Sequence, residues 1–381
     1  VGEPSRFLQQ LEHDLVPRTG GATTLHKLTV RVPVPERAPD AVLAKTPAVR
    51  EALRAVLRQS LSPSALNDFV GCSLKFYYKR VARLSAAEEV EEELGANQLG
   101  TAVHQVLEEL VAPFIARREA ITAAHVRAWP ARIPELLPRA LAAASSDEVR
   151  QAPPDQGFNH LLRHVAEQQL RQHCDTLAAH LDTDGPLMVE GKEQARYGTV
   201  LVDVLPDPDL PPDPADPLPD RLAVTLYGRV DRLDRLPTGA IRIVDYKTGQ
   251  VKRSDLNLKK RGETAQQALR KLLTDESSAA AKVRQLWLYT LMQQERDAGP
   301  VTAAIVSMRP ETNAKDLYLT ADLSFLPEAY GLPDTPEGHR QAGEEALGEL
   351  VRRILDPAEP LRRTDNVQVC EWCDFRRVCA R

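Results

Sequence analysis

Cys72 is followed, about 300 residues later, by a tight C-x2-C-x5-C group, Cys370, Cys373 and Cys379, in CEWCDFRRVCAR. A fold that uses these four thiols together must bring both ends of the intervening chain to one place. Closing so long a loop removes much entropy from the unfolded chain. Five cysteines in 381 residues are too few for a disulfide scaffold. No charged-then-apolar signal pattern opens the chain, so clustered cysteines read as metal ligands in a reducing, cytoplasmic setting. Four thiolates suit zinc or an iron–sulfur cluster, and unligated thiols are the third reading. Zinc sites commonly use paired C-x2-C knuckles, and this one-plus-three split departs from them. Cys174, in LRQHCDTLAAHL, reads instead as a small buried apolar residue on a helix.

A second constellation lies between the cysteines, in GRVDRLDRLPTGAIRIVDYKTG. Residues two apart on a strand share a face, so Asp245 and Lys247 project together from the end of the apolar run IRIV. Pro237-Thr238-Gly239 marks a turn, and Asp231 on the strand before it can reach the same place. Two carboxylates can hold Mg²⁺ or Mn²⁺ through oxygen. Such an ion polarises a phosphate and makes hydroxide from water, and a lysine can orient that water or offset growing charge. An isolated D-x-K would be a strand-end acid beside a solvated lysine. The apolar strand before it, the second acid and the following Thr-Gly favour a site.

The order of patterns suggests an α/β core with a helical insertion. Residues 1–58 read as an appendage with a helix in EPSRFLQQLEHDL and a strand at Leu25–Val34. Ser62 is an N-cap with Pro63 at the first helical position. Glu88–Glu93 is an acidic loop, and residues from about 98 to 182 are helical. An α/β core covers about 187–355, and 356–381 carries the cysteines that join Cys72. DPDLPPDPADPLPD is too rich in proline and aspartate for a core element and reads as a solvated loop between strands. The net charge of −5 neither demands nor excludes a nucleic-acid partner, since a local basic path suffices. Lys252, Arg253, Lys259, Lys260 and Arg261 are candidates for that path. His160 and His164, one helical turn apart, read as a solvated face. No apolar run spans a membrane, and no Walker A pattern is present.

GRVDRLD followed by IVDYKTG resembles the PD-(D/E)XK nuclease fold, in its RecB/AddB branch. GTAVHQVLEEL resembles that branch's helical histidine motif, which makes His104 a metal ligand with Asp231 and Asp245. Gly100, one turn earlier, would let the helix approach closely. QLWLYTL resembles its Q-x3-Y motif, in which Gln285 and Tyr289, four apart on one helix face, support the site and touch nucleic acid. A further acid on the preceding strand is expected from MVEGKEQARYG, where Glu190 is preferred to Glu193. The split cysteine set resembles the AddB-type arrangement, so the resemblance implies a structural [4Fe–4S] cluster on Cys72, Cys370, Cys373 and Cys379. VGCSLKF lacks the proline that relatives carry after the cysteine, but keeps the thiolate.

The resemblance covers residues from about 61 to 381 and implies a restriction-endonuclease-like α/β core with a mixed central sheet. It implies a Mg²⁺-dependent deoxyribonuclease, an exonuclease before an endonuclease, acting on single-stranded DNA ends in double-strand-break processing. EPSRFLQQL is similar to the segment that ends the helicase part of UvrD-like helicase–nucleases. With Val1 in place of Met, this implies a piece of a longer protein with a helicase domain or subunit as partner. The alternatives are a catalytically idle nuclease fold that grips DNA or a helicase, and a nuclease that stands alone outside recombination.

Overall fold

The computed structural model describes residues 6–20, 22, 26, 42–85, 95–145, 157–205, 207–210, 220–296, 299–310 and 316–379. Two compact units divide the chain, 1–39 and 40–381. In the first, Arg6–Gln10, Leu11–Leu15 and Val16–Arg18 follow one another as helical segments, the middle one of π type. The strand expected at Leu25–Val34 falls, but for His26, outside the described residues, as does the acidic loop Glu88–Glu93.

The second unit starts earlier than its sequence boundary. Thr46 caps helix α1 (Pro47–Gln59), whose Leu53 and Leu57 are fully buried in the main core. Sequence reading put this helix in the appendage, because its long polar stretch hides a stripe of leucines that needs a partner to be recognised. Helix α2 (Pro63–Gly71) begins as expected, Ser62 Oγ accepting the Ala65 N–H at 3.2 Å.

Helix α3 (Ala96–Arg117), α4 (Ile133–Ala144) and α5 (Gly157–Asp184) form the helical insertion. Beyond them come strands β2 (Met188–Asp203), β3 (Arg221–Arg235) and β4 (Ile241–Lys247), the first strand β1 being Val42–Leu43. Helices α6 (Ala265–Thr274) and α7 (Ser278–Gln294) lead to β5 (Val301–Ser307), β6 (Leu319–Thr320), α8 (Pro336–Leu355) and β7 (Leu361–Arg362).

The sheet order is β2-β3-β4-β5-β6, with β4 and β5 parallel and the other pairs antiparallel. Strand β4 is buried on both faces, which explains its near-continuous apolar run. Ile241 and Ile243 enter the core beneath α7 and α8, while Val244 and Tyr246 enter the core of the helical insertion. The β3–β4 ladder ends at Arg232↔Val244. Strand β3 runs on past that point, where Leu61 bridges to Leu226. Of the acidic connection between β2 and β3, Asp207 and Asp209 are not simply solvated: the buried Arg50 guanidinium binds both, at 2.6 and 2.7 Å.

The two ends of this unit meet. Strands β1 and β7 pair, Val42 opposite Arg362 and Leu43 opposite Leu361. Lys45 Nζ donates to Arg353 O at 2.7 Å beside them. Among the described residues no helix is long and apolar enough to cross a membrane.

Candidate active site

The site forms where β4 ends. Once the β3–β4 ladder stops, the Asp231 side chain takes over, its Oδ2 accepting the Tyr246 N–H at 2.7 Å. The other oxygen, Oδ1, lies 3.3 Å from His104 Nδ1, and His104 Nε2 lies 3.1 Å from Tyr246 O. Both ring nitrogens thus face oxygen acceptors, and a neutral imidazole can donate to only one of them. Helix α3 brings His104 to this place, but Gly100 is not what permits it. A Cβ at Gly100 would rest 3.7 Å from Thr248 Oγ1, an ordinary contact.

Asp245 is the deeper of the site's two acids, with its side chain 5% exposed. Gln285 on α7 donates from Nε2 to Asp245 Oδ1 at 2.9 Å and accepts from Lys247 Nζ at 3.1 Å. Lys247 Nζ also lies 2.8 Å from Asp245 Oδ2. The Lys247 ammonium is thus the charge partner of the buried Oδ2. Burial pushes the Asp245 carboxyl up to about 6, the Lys247 ammonium pulling it down and the Asp231 charge raising it further. The Tyr289 hydroxyl accepts from Gln285 at 3.1 Å and donates to Arg229 O at 2.8 Å, so α7 is tied to β3 as well as β4.

The structure therefore gathers Asp231, Asp245, Lys247, His104, Gln285 and Tyr289. It does not bring Glu190 there. Glu190 lies at a bulge between Val189↔Asp234 and Gly191↔Leu233, and its carboxylate pairs with Arg235. The bulge is the physical reason for the miss, because one extra residue shifts every later position along the strand. Lys192 and Gln194 stand opposite Arg232 and Val230, so the backbone of residue 193 comes level with Asp231. The basic candidates are largely answered locally: Arg253 pairs with Asp316, Lys259 with Glu328, and Lys260 Nζ donates to Ser254 O.

A buried network behind the site went unread in the sequence. Arg232, 1% exposed, binds Asp234 Oδ1 at 2.8 Å and donates to the Tyr246 hydroxyl at 2.6 Å and the Tyr318 hydroxyl at 2.7 Å. Arg242 binds Asp234 at 3.0 Å and stacks 3.4 Å over the Tyr318 ring. The Tyr246 ring meets both His104 and the buried His173 edge-on. Of the two acids in GRVDRLD, Asp231 thus serves the site and Asp234 serves the core. The available signal was Arg232 and Asp234 on one face of a strand that is otherwise buried.

The cysteines gather at one corner. Cys72, Cys370 and Cys379 are buried and Cys373 is half-buried. Burial pushes the Cys379 thiol up, and neighbouring Cys72, Cys373 and Cys370 add to this. Cys72 Sγ donates to Arg362 O at 3.7 Å, and Tyr78 packs on Phe375 at 5.3 Å. Cys174 lies apart in the helical core, its thiol pushed up to about 12 by burial.

Among the described residues no group of three or more His, Cys, Asp or Glu side chains stands arranged to hold a metal ion. The donor chemistry nonetheless fits one at β4: Asp231 and Asp245 supply hard oxygen donors near enough for the Asp231 charge to act on the buried Asp245 carboxyl. No curated protein matches the chain. The family model of the PD-(D/E)XK nuclease superfamily matches residues 60–380, and the chain belongs to that superfamily.

Proposed function

We propose that this chain is a metal-dependent nuclease that hydrolyses phosphodiester bonds in DNA. Members of the superfamily are generally nucleases and usually use divalent ions such as Mg²⁺. The observation that carries the reading is the buried Asp245 carboxylate beside Lys247 and the carboxylate of Asp231. Asp231 and Asp245 would hold the ion with His104 beside them. When bound, a divalent ion supplies positive charge that polarises the phosphate and lowers the pKa of water. Lys247, fixed by Asp245 and Gln285, keeps an ammonium donor at the mouth of the site, where it can orient a water or offset charge on the phosphate. Gln285 holds both members of the D-x-K pair, and Tyr289 holds Gln285.

The finer reading is an exonuclease on single-stranded ends, attached to a helicase domain or subunit in double-strand-break processing. The motif order in the sequence supports it. The corner of Cys72, Cys370, Cys373 and Cys379 would carry a [4Fe–4S] cluster as a structural staple, supported by the mutual proximity of its thiols. End-labelled single- and double-stranded DNA, incubated with and without Mg²⁺ or Mn²⁺, tests the core reading. Cleavage should need the ion and vanish in Asp245→Asn. Binding without cleavage under every ion would make the chain an idle nuclease fold.

A further inference from the structure

Beyond the end of β4, strands β2 and β3 continue as a two-stranded ribbon with unlike faces. Val200, Val202, Leu222, Val224, Leu226 and Val230 turn into the core. The alternate positions turn outward. Tyr197 is 53% exposed, Arg229 is exposed and Tyr227 is half-buried. Register sets Tyr197 directly opposite Tyr227, and their rings lie 5.1 Å apart at 44°.

Alternation along β3 places Tyr227, Arg229 and Asp231 on the same face. Four residues of strand separate the tyrosine from the carboxylate, about 13 Å. One continuous surface therefore runs from the candidate metal ligand, past a guanidinium, to a pair of exposed aromatic rings. An aromatic cross-strand pair can serve sheet stability alone. That role explains neither the exposure of Tyr197 nor the alignment with Asp231. A polymer that alternates anionic phosphates with flat bases matches this order of groups: phosphate at Arg229, bases on the rings. The same face also carries the exposed Leu201, but Thr199, Thr225 and the Asp203–Arg221 ion pair surround it, a mixed polar setting rather than an apolar patch.

We propose that Tyr197 and Tyr227 form a stacking platform for the bases of a single-stranded nucleic acid whose scissile phosphate sits at Asp231 and Asp245. The proposal rests on the nuclease reading above and assigns the direction in which the strand leaves the site. It makes Tyr197 and Tyr227 affinity determinants a few nucleotides from the cut.

The test uses the full chain in EDTA, with fluorescence anisotropy of a labelled oligothymidylate. Tyr197→Ala and Tyr227→Ala should each weaken binding by roughly 5- to 100-fold, whereas Tyr197→Phe and Tyr227→Phe stay within about twofold. Cleavage at saturating DNA should keep its wild-type rate in all four, separating affinity from turnover. Oligonucleotides carrying 5-iododeoxyuridine should photocrosslink to Tyr197 or Tyr227 in the unaltered protein, which decides the matter even if an alanine variant fails to fold. Unchanged affinity in the alanine variants with crosslinks elsewhere overturns the platform while leaving the nuclease reading intact. The pair then belongs to sheet stability or a protein contact. Wild-type protein that neither binds nor cuts DNA fails the nuclease reading itself.

Discussion

Asp231 and Tyr246 are joined by a single hydrogen bond, carboxylate to backbone N–H at 2.7 Å, at the point where the β3–β4 ladder gives out. One acid thus completes the strand pairing and also faces the site. The two roles separate on substitution.

Asp231→Asn keeps an oxygen able to accept the Tyr246 N–H but loses the charge. It should melt close to wild type and show no metal-dependent cleavage. Asp231→Ala leaves a buried N–H unpaired and should cost about 1–3 kcal/mol as well. Urea denaturation alongside a cleavage assay checks both. Equal stability of the two variants would remove the structural role.

Gly228 guards the α7 side of the site. A Cβ there would lie 2.6 Å from Tyr289 Cε1 and 2.7 Å from Met292 Cε. The methionine end can move, but the buried Tyr289 ring has little room to. Gly228→Ala should therefore displace Tyr289, release Gln285 and lower turnover by about 100-fold. The overpacking should cost about 1–3 kcal/mol. Gln285→Ala should reproduce the turnover loss at near-normal stability, and single-turnover kinetics would show whether it does.

How much of this was legible follows from where each signal resides. Asp245, Lys247, Gln285 and Tyr289 were readable because strand and helix periodicity alone puts them on common faces. Ser62 and Pro63 announced their helix through local capping chemistry. Glu190 was misplaced because a β-bulge leaves no mark in the residue pattern. The network of Arg232, Asp234, Arg242 and Tyr318 went unread because its members come from β3, β4 and the segment before β6, and charged residues ordinarily read as surface. Leu53 and Leu57 were missed for a related reason: burial by a partner element is a tertiary fact.

His173 supplies a pH-dependent weakness. Burial first, and then the nearby Arg232 charge, pulls its imidazole down to about 3. The unfolded chain takes up that proton near pH 6.5, so its contribution is present above that pH and is lost as pH falls toward 3. At pH 5 the loss is about 2 kcal/mol. His173→Phe keeps a ring against Tyr246 and should flatten this part of the profile. Denaturation midpoints at pH 7.5 and pH 5, compared between the two proteins, give the answer.

The cysteine corner predicts unequal thiols. Cys379→Ser should strip bound iron, bleach broad visible absorption and lower stability, since ligation and folding are coupled. Cys174→Ser should leave metal content unchanged. Iron, sulfide and zinc analysis of anaerobically purified protein decides the metal. One zinc per chain with no sulfide would replace the cluster and keep the staple.

The pairing of β1 with β7, and of Cys72 with the Arg362 carbonyl, also sets a timetable. On a ribosome adding ~5–20 residues per second, roughly 15–60 s separate the synthesis of Cys72 from that of Cys379. Asp231 and Asp245 leave the ribosome well inside that interval, so the acids of the candidate site exist before the corner that closes their unit. Closure of the domain thus waits until β7 and the C-x2-C-x5-C segment have been made, and a chain halted short of them carries the acids without the closure.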